Sequence, residues 1–229
     1  MYVYETHCHT DIVSRCSRFR PEDVVDFYLK NGYAGVFITD HFLNGNCVDS
    51  LRDPTVPIRE RIHGFCDGYR AVKRLAGERL QVFFGFEYSY GGTDVLVYGW
   101  DEDKLAGLPE ITDMDMRSFI RFANDNGALT IQAHPFREAS YIDHIRLYPE
   151  VKGIETFNAM RDDRTNRLAD FYASEYSKIK FSGTDNHGYN IPEYIGGMAF
   201  TERLKDEKDF VGRVTEDEAI LCRIRTKTP

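Results

Sequence analysis

The chain has few cysteines, and their spacing argues against two common uses of that residue. Five cysteines occur in 229 residues, and none of them forms a C-x-x-C pair of the kind found in structural zinc sites. An odd number also disfavours a complete disulfide framework. The composition therefore predicts a protein of a reducing compartment, and we expect it to be cytoplasmic.

The chain also lacks a long apolar run and an excess of basic charge. No apolar run approaches the ~18 residues that suggest a membrane span, and Met1 leads into the first predicted strand without a signal-peptide pattern. The net charge is −8. We therefore expect neither a membrane nor a nucleic-acid backbone as partner, although a local basic site can still hold a phosphate.

No glycine-rich phosphate loop is present, neither a G-x-G-x-x-G sequence nor a Walker sequence. This absence disfavours an open doubly wound sheet that binds a nucleotide at its switch point. Linkers, repeats and low-complexity segments are also missing, and 42% hydrophobic residues are enough for one core. We therefore predict a single domain over residues 1–229.

Short apolar runs alternate with helical patterns along the chain, which is typical of an α/β protein. The predicted strands cover residues 2–9, 35–39, 80–86, 94–98, 128–133, 152–157, 179–184, 197–201 and 219–224. Helices are predicted from Pro21 to about Gly32, over 58–76, from Thr112 or Asp113 to Gly127, over 163–176 and around 206–211. Residues 42–57 show no periodicity and predict a long loop at the rim of an active site.

Polar residues follow the predicted strands, and five of the seven histidines are among them. His7 and His9 are two residues apart, so in an extended strand both imidazoles face the same side. His41, His134 and His187 each follow a later strand. About seven strand–helix repeats of this kind fit a (β/α) barrel, whose chemistry lies at the carboxyl ends of the strands.

Acidic and amide residues occupy the same setting as these histidines, namely Asp40, Glu87, Asn158 and Asp185. Any one of them alone is more often a hydrogen-bonded loop residue than a ligand. The joint pattern of imidazole and carboxylate predicts a site for Zn²⁺, Mn²⁺ or Fe²⁺. The two remaining histidines, His63 and His144, lie inside helical or polar stretches, and we assign them to structure or surface.

In combination these residues resemble the motifs of the PHP superfamily, the polymerase and histidinol phosphatase domains. The matching segments are His7-Cys8-His9, Ile38-Thr39-Asp40-His41, His134-Pro135 and Asp185-Asn186-His187, with Glu87 as the acidic residue between them. The resemblance covers roughly residues 3–200. It implies an α/β fold, a distorted (β/α)7 barrel of PHP type, which binds two or three divalent metal ions (Zn, Mn or Fe) and hydrolyses phosphoesters.

The resemblance also implies which residues hold each metal ion. The first ion would be held by His7, His9, Glu87 and Asp185; the second by Glu87, His134 and either Asn158 or Glu155; and the third by His41 and His187.

The third metal position departs from the family pattern. Arg15 stands where family members often have an aspartate or histidine. Asp11 or Cys16 is a possible substitute ligand, or the Arg15 guanidinium takes the place of the metal. The number of ions therefore stays open between two and three.

The implied reaction is in-line attack on phosphorus by a metal-bound hydroxide. Asp185 is predicted to be catalytic as a ligand, and Asp40 as an outer-shell or proton-transfer residue. Four arginines near strand ends are predicted to bind the phosphate, because a guanidinium group pairs with it bidentately. These arginines are Arg15, Arg137, Arg161 and Arg164.

We therefore predict a metal-dependent phosphoesterase acting on a small phosphorylated metabolite, either a phosphomonoester or a nucleotide. One alternative is a histidinol-phosphate phosphatase. Another is a catalytically weak domain that keeps metal ligands for structure or regulation and binds a partner. A nuclease is less favoured because no basic groove is visible in the sequence. The sequence specifies neither the substrate nor the native metal nor the oligomeric state.

Overall fold

The computed structural model describes residues 1–227, which contain nine strands and eight α-helices. The strands are β1 (Tyr2–Cys8), β2 (Gly35–Ile38), β3 (Gln81–Tyr90), β4 (Thr93–Tyr98), β5 (Leu129–Gln132), β6 (Gly153–Asn158), β7 (Ile179–Gly183), β8 (Tyr194–Phe200) and β9 (Ile220–Arg225). The helices are α1 (Pro21–Lys30), α2 (Asp49–Arg52), α3 (Ile58–Phe65), α4 (Asp67–Ala76), α5 (Glu102–Ala106), α6 (Met116–Asp125), α7 (Asp163–Glu175) and α8 (Glu207–Thr215), with a 3-10 helix at Pro109–Asp113.

All nine strands belong to one sheet with the order β7-β6-β5-β4-β3-β2-β1-β8-β9. Strands β1, β2 and β3 are parallel to one another, and so are β5, β6 and β7. Strand β4 is antiparallel to both of its neighbours, β3 and β5. The six parallel strands therefore run in one direction, and their carboxyl ends lie at the same edge of the sheet.

The sheet curls until its seventh strand approaches the first, which makes a nearly closed barrel. A bridge joins Cys8 to Asn186, and the Asp185 amide donates to the His7 carbonyl at 2.8 Å. The Thr6 hydroxyl donates to the Ser182 carbonyl at 2.7 Å. The prediction of a distorted barrel of the α/β class is thus confirmed, and the antiparallel β4 together with the added β8–β9 pair distorts it.

Local sequence explains where several helices begin. Pro21 occupies the first turn of α1, where its missing N–H costs no hydrogen bond. The Asp115 carboxylate caps α6 by accepting from the amides of Arg117 and Ser118. The expected cap at Thr112 or Asp113 is therefore wrong by two or three residues, because Pro109–Asp113 forms a 3-10 turn first.

The helix predicted over 58–76 is two helices, α3 and α4, separated at Cys66. A Cβ on Gly68 would lie 2.3 Å from the Thr10 hydroxyl and 2.5 Å from an Asp40 oxygen, so α4 begins in close contact with the loop after β1. The apolar periodicity continues across the break because the irregularity is confined to one residue. The loop predicted over 42–57 also contains a short helix, α2.

The core lies on both sides of the sheet. One large cluster of apolar side chains, including Phe42, Phe86 and Phe119, packs between the sheet and helices α3 and α6. Inside the barrel, aromatic rings such as Tyr4, Phe37 and Tyr98 pack together. These layers hold the strands rigidly, and the polar ends of the strands emerge at one edge. Among residues 1–227, no helix is both long enough and apolar enough to cross a bilayer.

Candidate metal centre

A buried cluster of imidazoles and carboxylates lies at the carboxyl edge of the parallel strands. Its ligand atoms fall into four overlapping sets, and within each set they lie within 4.8 Å of one another. The sets are His7/His9/Glu87, His7/His134/Asp185, Glu87/Asp94/His134 and His9/His41/His187. The strand ends thus bring together all five histidines that the sequence singled out.

Glu87 lies at the centre of this cluster. Its Oε1 is 3.5 Å from His7 Nε2 and 3.3 Å from His134 Nε2, and its Oε2 is 3.4 Å from His9 Nε2 and 2.8 Å from His41 Nδ1. The carboxylate is buried, yet neither oxygen accepts a well-aligned hydrogen bond from the described residues. A buried carboxylate left in this way requires positive charge around it. The donor set therefore fits divalent cations.

The charge around Glu87 also determines its protonation. Burial alone would raise the pKa of this carboxyl, but the facing imidazoles of His41, His7 and His134 outweigh burial and hold the pKa well below its ordinary value. Glu87 is thus an anion, ready to bind cations through both oxygens.

His7 is oriented by Glu155, whose Oε1 lies 2.9 Å from His7 Nδ1. This contact directs His7 Nε2 toward Glu87 and toward Asp185 Oδ1, which is 3.4 Å away. A carboxylate behind a histidine fixes its tautomer and orientation, as it does in many metal sites. Gly183 makes room for the pair, since a Cβ there would lie 2.7 Å from His7 Cβ and 2.8 Å from Glu155 Oε1.

His9 is oriented in the same way by a serine. The Ser14 hydroxyl lies 3.0 Å from His9 Nδ1 and donates to Asp40 Oδ1 at 2.6 Å. Asp40 also accepts from the amide and the hydroxyl of Thr10. Burial raises the pKa of the Asp40 carboxyl to about 6. The structure thus places Asp40 behind His9, in an outer-shell position, and does not bring it to the cavity as a proton-transfer group.

Two of the site residues have left-handed backbones. Asp185 has φ of 61° and His134 has φ of 27°, a region that residues other than glycine adopt uncommonly. The Asp185 amide is held by the His7 carbonyl, and the His134 amide donates to Glu155 Oε2 at 2.9 Å. Such backbone strain at strand ends is typical of functional sites.

The two residues that the sequence offered as the last ligand of the second ion both bind other side chains or amides of the cluster. Asn158 directs its amide nitrogen toward Glu155 Oε2 at 2.9 Å and Asp185 Oδ2 at 3.3 Å, while its oxygen accepts from the Met160 amide. Glu155 is occupied by His7, His134 and Asn158. Both residues therefore support ligands.

Asp94 is a further acidic residue of this cluster, and its position was not predicted from the sequence. It is buried, its Oδ2 lies 4.0 Å from His134 Nε2, and it forms one set with His134 and Glu87. Asp94 is the second residue of strand β4 and does not follow a strand. Because β4 is antiparallel, its first residues lie at the same edge as the carboxyl ends of its neighbours. Gly91 and Gly92, which precede the strand, form the turn between β3 and β4, and two adjacent glycines are a sequence signal for such a hairpin.

The four predicted phosphate-binding arginines separate into two pairs. Arg15 pairs with Asp49 at 2.9 Å and has a side chain 57% exposed, and Arg164 lies 3.6 Å from Glu138 on the surface. Neither of these two lines the cavity above the imidazole–carboxylate cluster, because each belongs to an exposed ion pair. For Arg15 and Arg164, the expectation of phosphate binding is therefore not supported.

Arg137 and Arg161 do line that cavity. Arg161 Nη2 is 3.3 Å from Asp185 Oδ2, and Arg137 Nη2 is 2.7 Å from Asp94 Oδ2. Arg52, at the end of α2, also lines the cavity and was not predicted, because nothing in residues 42–57 indicated a helix there. Three arginines thus line the cavity, and two of them, Arg137 and Arg161, contact carboxylates of the cluster.

Of the residues considered for the third position, only Cys16 lines the cavity. Arg15 points away, and Asp11 is exposed elsewhere in the loop after β1. Burial opposes ionisation of the Cys16 thiol, but hydrogen bonds with His187 and His41 outweigh it and lower its pKa to about 6. The thiol is thus the group that faces these two histidines.

The cavity has a volume of about 620 Å³, enough for a small metabolite. Its floor is the cluster of imidazoles and carboxylates, and its rim carries Tyr90, Tyr141 and Tyr189, all exposed. The other two histidines of the chain, His63 and His144, have exposed side chains outside this cavity.

No protein-family model matches the chain, and a search of curated proteins finds no match. Solved structures do resemble it. A two-domain protein from Bacteroides vulgatus containing a predicted PHP-like metal-dependent phosphoesterase matches 96% of this chain with a TM-score of 0.70 and 13% identity. The chain spans only 64% of that protein's length.

Two further structures show the same likeness. PsfC from Pseudomonas syringae matches with a TM-score of 0.61 at 14% identity, covering 98% of this chain and 91% of that one. A protein from Bifidobacterium adolescentis, assigned as a metal-dependent phosphoesterase, matches with a TM-score of 0.54 at 15% identity, covering 91% of this chain and 94% of that one. At such identities the similarity shows the fold alone. The PHP-like fold implied by the motifs is thus confirmed.

Proposed function

We propose that this PHP-like chain is a metal-dependent phosphoesterase that hydrolyses a small phosphorylated metabolite. The observation that carries the proposal is Glu87, a buried carboxylate whose two oxygens face four imidazoles and accept no well-aligned hydrogen bond from the described residues. A cluster of this kind directly beneath a cavity with three arginines combines sites for cations and for a phosphate.

The ligand side chains are predicted to hold the cations. The first ion would be held by His7, His9, Glu87 and Asp185, and the set His9, His41 and His187 lies beside it. Divalent cations in such a site supply an activated water at neutral pH and stabilise charge on phosphoryl oxygens. Imidazole with carboxylate suits Zn²⁺, Mn²⁺ or Fe²⁺.

The remaining chemistry belongs to residues that bind and orient the substrate. Arg161 and Arg137 lie at the cavity wall beside Asp185 and Asp94, so their free N–H groups are available to phosphate oxygens. His187 donates from Nδ1 to the Asp185 carbonyl at 2.8 Å, which leaves Nε2 as a lone-pair donor toward the site. The exposed tyrosines at the rim are positioned to contact the part of the substrate beyond its phosphate.

Turnover of an aryl phosphate with added Mn²⁺ or Zn²⁺ tests the proposal. Asp185→Asn is the informative variant, because asparagine tolerates the left-handed backbone at this position while the charge is lost. Asp143→Asn, a change at an exposed acid outside the cavity, is the matched control. We expect activity in the wild type and the control and its loss in Asp185→Asn.

Absence of turnover with every metal would contradict the proposal and favour a domain that binds metals and a partner without catalysis. If turnover is found, relative rates on histidinol phosphate, nucleotides and sugar phosphates assign the substrate class. A clear preference for histidinol phosphate would identify the alternative phosphatase.

A further inference from the structure

Asp94 is the buried acid of the centre for which the family motifs give no role. Its carboxylate, that of Glu87 and the His134 imidazole are all at least nine-tenths buried, and their ligand atoms lie within 4.8 Å of one another. His134 Nε2 is 3.3 Å from Glu87 Oε1 and 4.0 Å from Asp94 Oδ2. Two ligand atoms that each lie ~2.1 Å from one ion are separated by at most about 4.2 Å. These separations therefore suit a shared cation.

A second observation points to the same place. Glu87 Oε1, the oxygen nearer to His134, is buried without a hydrogen-bond partner among the described residues. The alternatives for the third ligand are already occupied, since Asn158 directs its N–H groups inward and Glu155 supports His7. Asp185 Oδ2 lies as near, 3.9 Å from His134 Nε2, but Asp185 belongs to the set proposed for the first ion, and this oxygen accepts from Asn158 and Arg161. Asp94 is thus the carboxylate outside the first-ion set with an oxygen near this position.

Among the described residues, Asp94 has a close cationic partner in Arg137. Arg137 Nη2 lies 2.7 Å from Asp94 Oδ2, the same oxygen that faces His134. The Arg137 side chain is mostly buried but reaches the cavity. A metal ion at the Glu87–Asp94–His134 position and the guanidinium group would therefore share a single carboxylate.

We infer that Asp94, with Glu87 and His134, forms a divalent-cation site and that its carboxylate is shared with Arg137. The shared carboxylate fixes Arg137 next to the ion, where a phosphate oxygen can contact both. When the ion is absent, Arg137 neutralises Asp94 and lowers the affinity of the site for cations. The catalytic role of this ion rests on the proposed function, whereas its binding does not. The test therefore measures cation binding.

Binding of Mn²⁺ to metal-free full-length protein, measured by equilibrium dialysis with elemental analysis, tests this site. We expect Asp94→Asn to bind one equivalent fewer than the wild type, or to bind that equivalent roughly 10-fold or more weakly. The exposed Asp143→Asn is the matched control and should bind like the wild type. Full binding by Asp94→Asn, with unchanged affinity, would overturn the inference.

Arg137→Gln provides a second test that keeps all three ligands. Removing the competing positive charge should tighten Mn²⁺ binding at this site by several-fold, because the cation no longer shares the carboxylate. Unchanged or weaker binding in Arg137→Gln would contradict the shared-carboxylate arrangement, even if Asp94→Asn fails to fold.

The outcome for this site is separable from that for the proposed function. Mn²⁺ binding that depends on Asp94, in a protein that hydrolyses no phosphoester, would leave the cation site intact and refute the function. Phosphoester hydrolysis with undiminished Mn²⁺ binding by Asp94→Asn would refute the site alone.

Discussion

Two glutamates of this protein are equally buried and have opposite environments. Glu5, in β1, accepts hydrogen bonds from the amides of Thr6, His7 and Thr184 at 2.9 Å and from the Thr184 hydroxyl. Glu87, at the edge of the barrel, accepts none that is well aligned from the described residues and faces imidazoles instead. Burial raises the pKa of Glu5 to about 7, whereas the imidazoles hold the pKa of Glu87 well below its ordinary value.

The difference shows how one barrel contains both a structural and a candidate functional carboxylate. A carboxylate saturated by amides and hydroxyls has no capacity left for a ligand, and its role is to connect strands. A buried carboxylate without such donors destabilises the fold unless positive charge lies beside it. The unsatisfied member of the pair therefore identifies the site.

The largest expected effect belongs to Glu87→Gln. We expect phosphoester hydrolysis to fall roughly 10³-fold or more, because an amide cannot hold cations on both sides as the carboxylate does. Steady-state rates with saturating Mn²⁺ would measure the effect. The equally buried Glu5→Gln is the control and should lose less than about 10-fold; a similar loss in both variants would remove the distinction between the two residues.

Glu155→Gln should have an intermediate effect, since it changes the residue that orients His7 without touching the ligands themselves. We expect a loss of about 10- to 100-fold in metal affinity or activity, as for other residues that support a metal-bound histidine. Metal titration followed by activity would measure it. Metal affinity and activity equal to those of the wild type would show that the 2.9 Å contact with His7 is dispensable.

Glu5→Gln should act on stability and in a pH-dependent way. The folded-state pKa of about 7 lies above the ordinary value of 4.5, so the stabilisation of the protonated carboxyl is complete below pH 4.5 and is lost as the pH rises to about 7. The glutamine side chain does not titrate. At low pH the variant's free energy of unfolding should be about 1–3 kcal/mol lower than that of the wild type, because its N–H₂ group replaces an acceptor.

Urea unfolding of both proteins with chelator present, at several pH values between 4.5 and 8, measures this difference. The difference in unfolding free energy that favours the wild type at low pH should fall by about 3 kcal/mol as the pH rises to 7, so that it disappears or changes sign. An advantage independent of pH would show that Glu5 is ionised throughout.

Arg15→Ala should have the smallest effect. Its guanidinium group belongs to an exposed pair with Asp49, and such pairs contribute little, so we expect changes within ~0.5 kcal/mol in stability and an unchanged rate. Arg161→Ala, in the cavity, is the contrasting variant and should raise KM roughly 10-fold. A large rate loss in Arg15→Ala would contradict this assignment and favour a role for Arg15 in phosphate binding.

Much of this arrangement was predictable from the sequence because strand ends are visible as polar residues after apolar runs. His7, His41, His134 and His187 were assigned to one edge on that basis, and the structure places them there. The assignment of these residues as metal ligands stays a prediction. The prediction of a single domain over residues 1–229 also stays a prediction.

The missed and misplaced residues share a physical cause, namely that strand direction and side-chain orientation are tertiary properties. Asp94 was missed because it lies in the first residues of an antiparallel strand, and parallel-strand reasoning searches only the residues after a strand. Arg15 and Arg164 were misplaced because position near a strand end does not fix where a long side chain points. Asn158 was placed at the right edge, but its amide is turned to support its neighbours.

The most direct test of the contrast between the two glutamates is the metal content per chain, by elemental analysis, of wild-type protein and Glu87→Gln purified without chelator. We predict about two or three equivalents of Zn, Mn or Fe in the wild type and less than one in Glu87→Gln. A wild-type protein that holds no metal even after incubation with Mn²⁺ or Zn²⁺, or equal metal content in both proteins, would contradict the account.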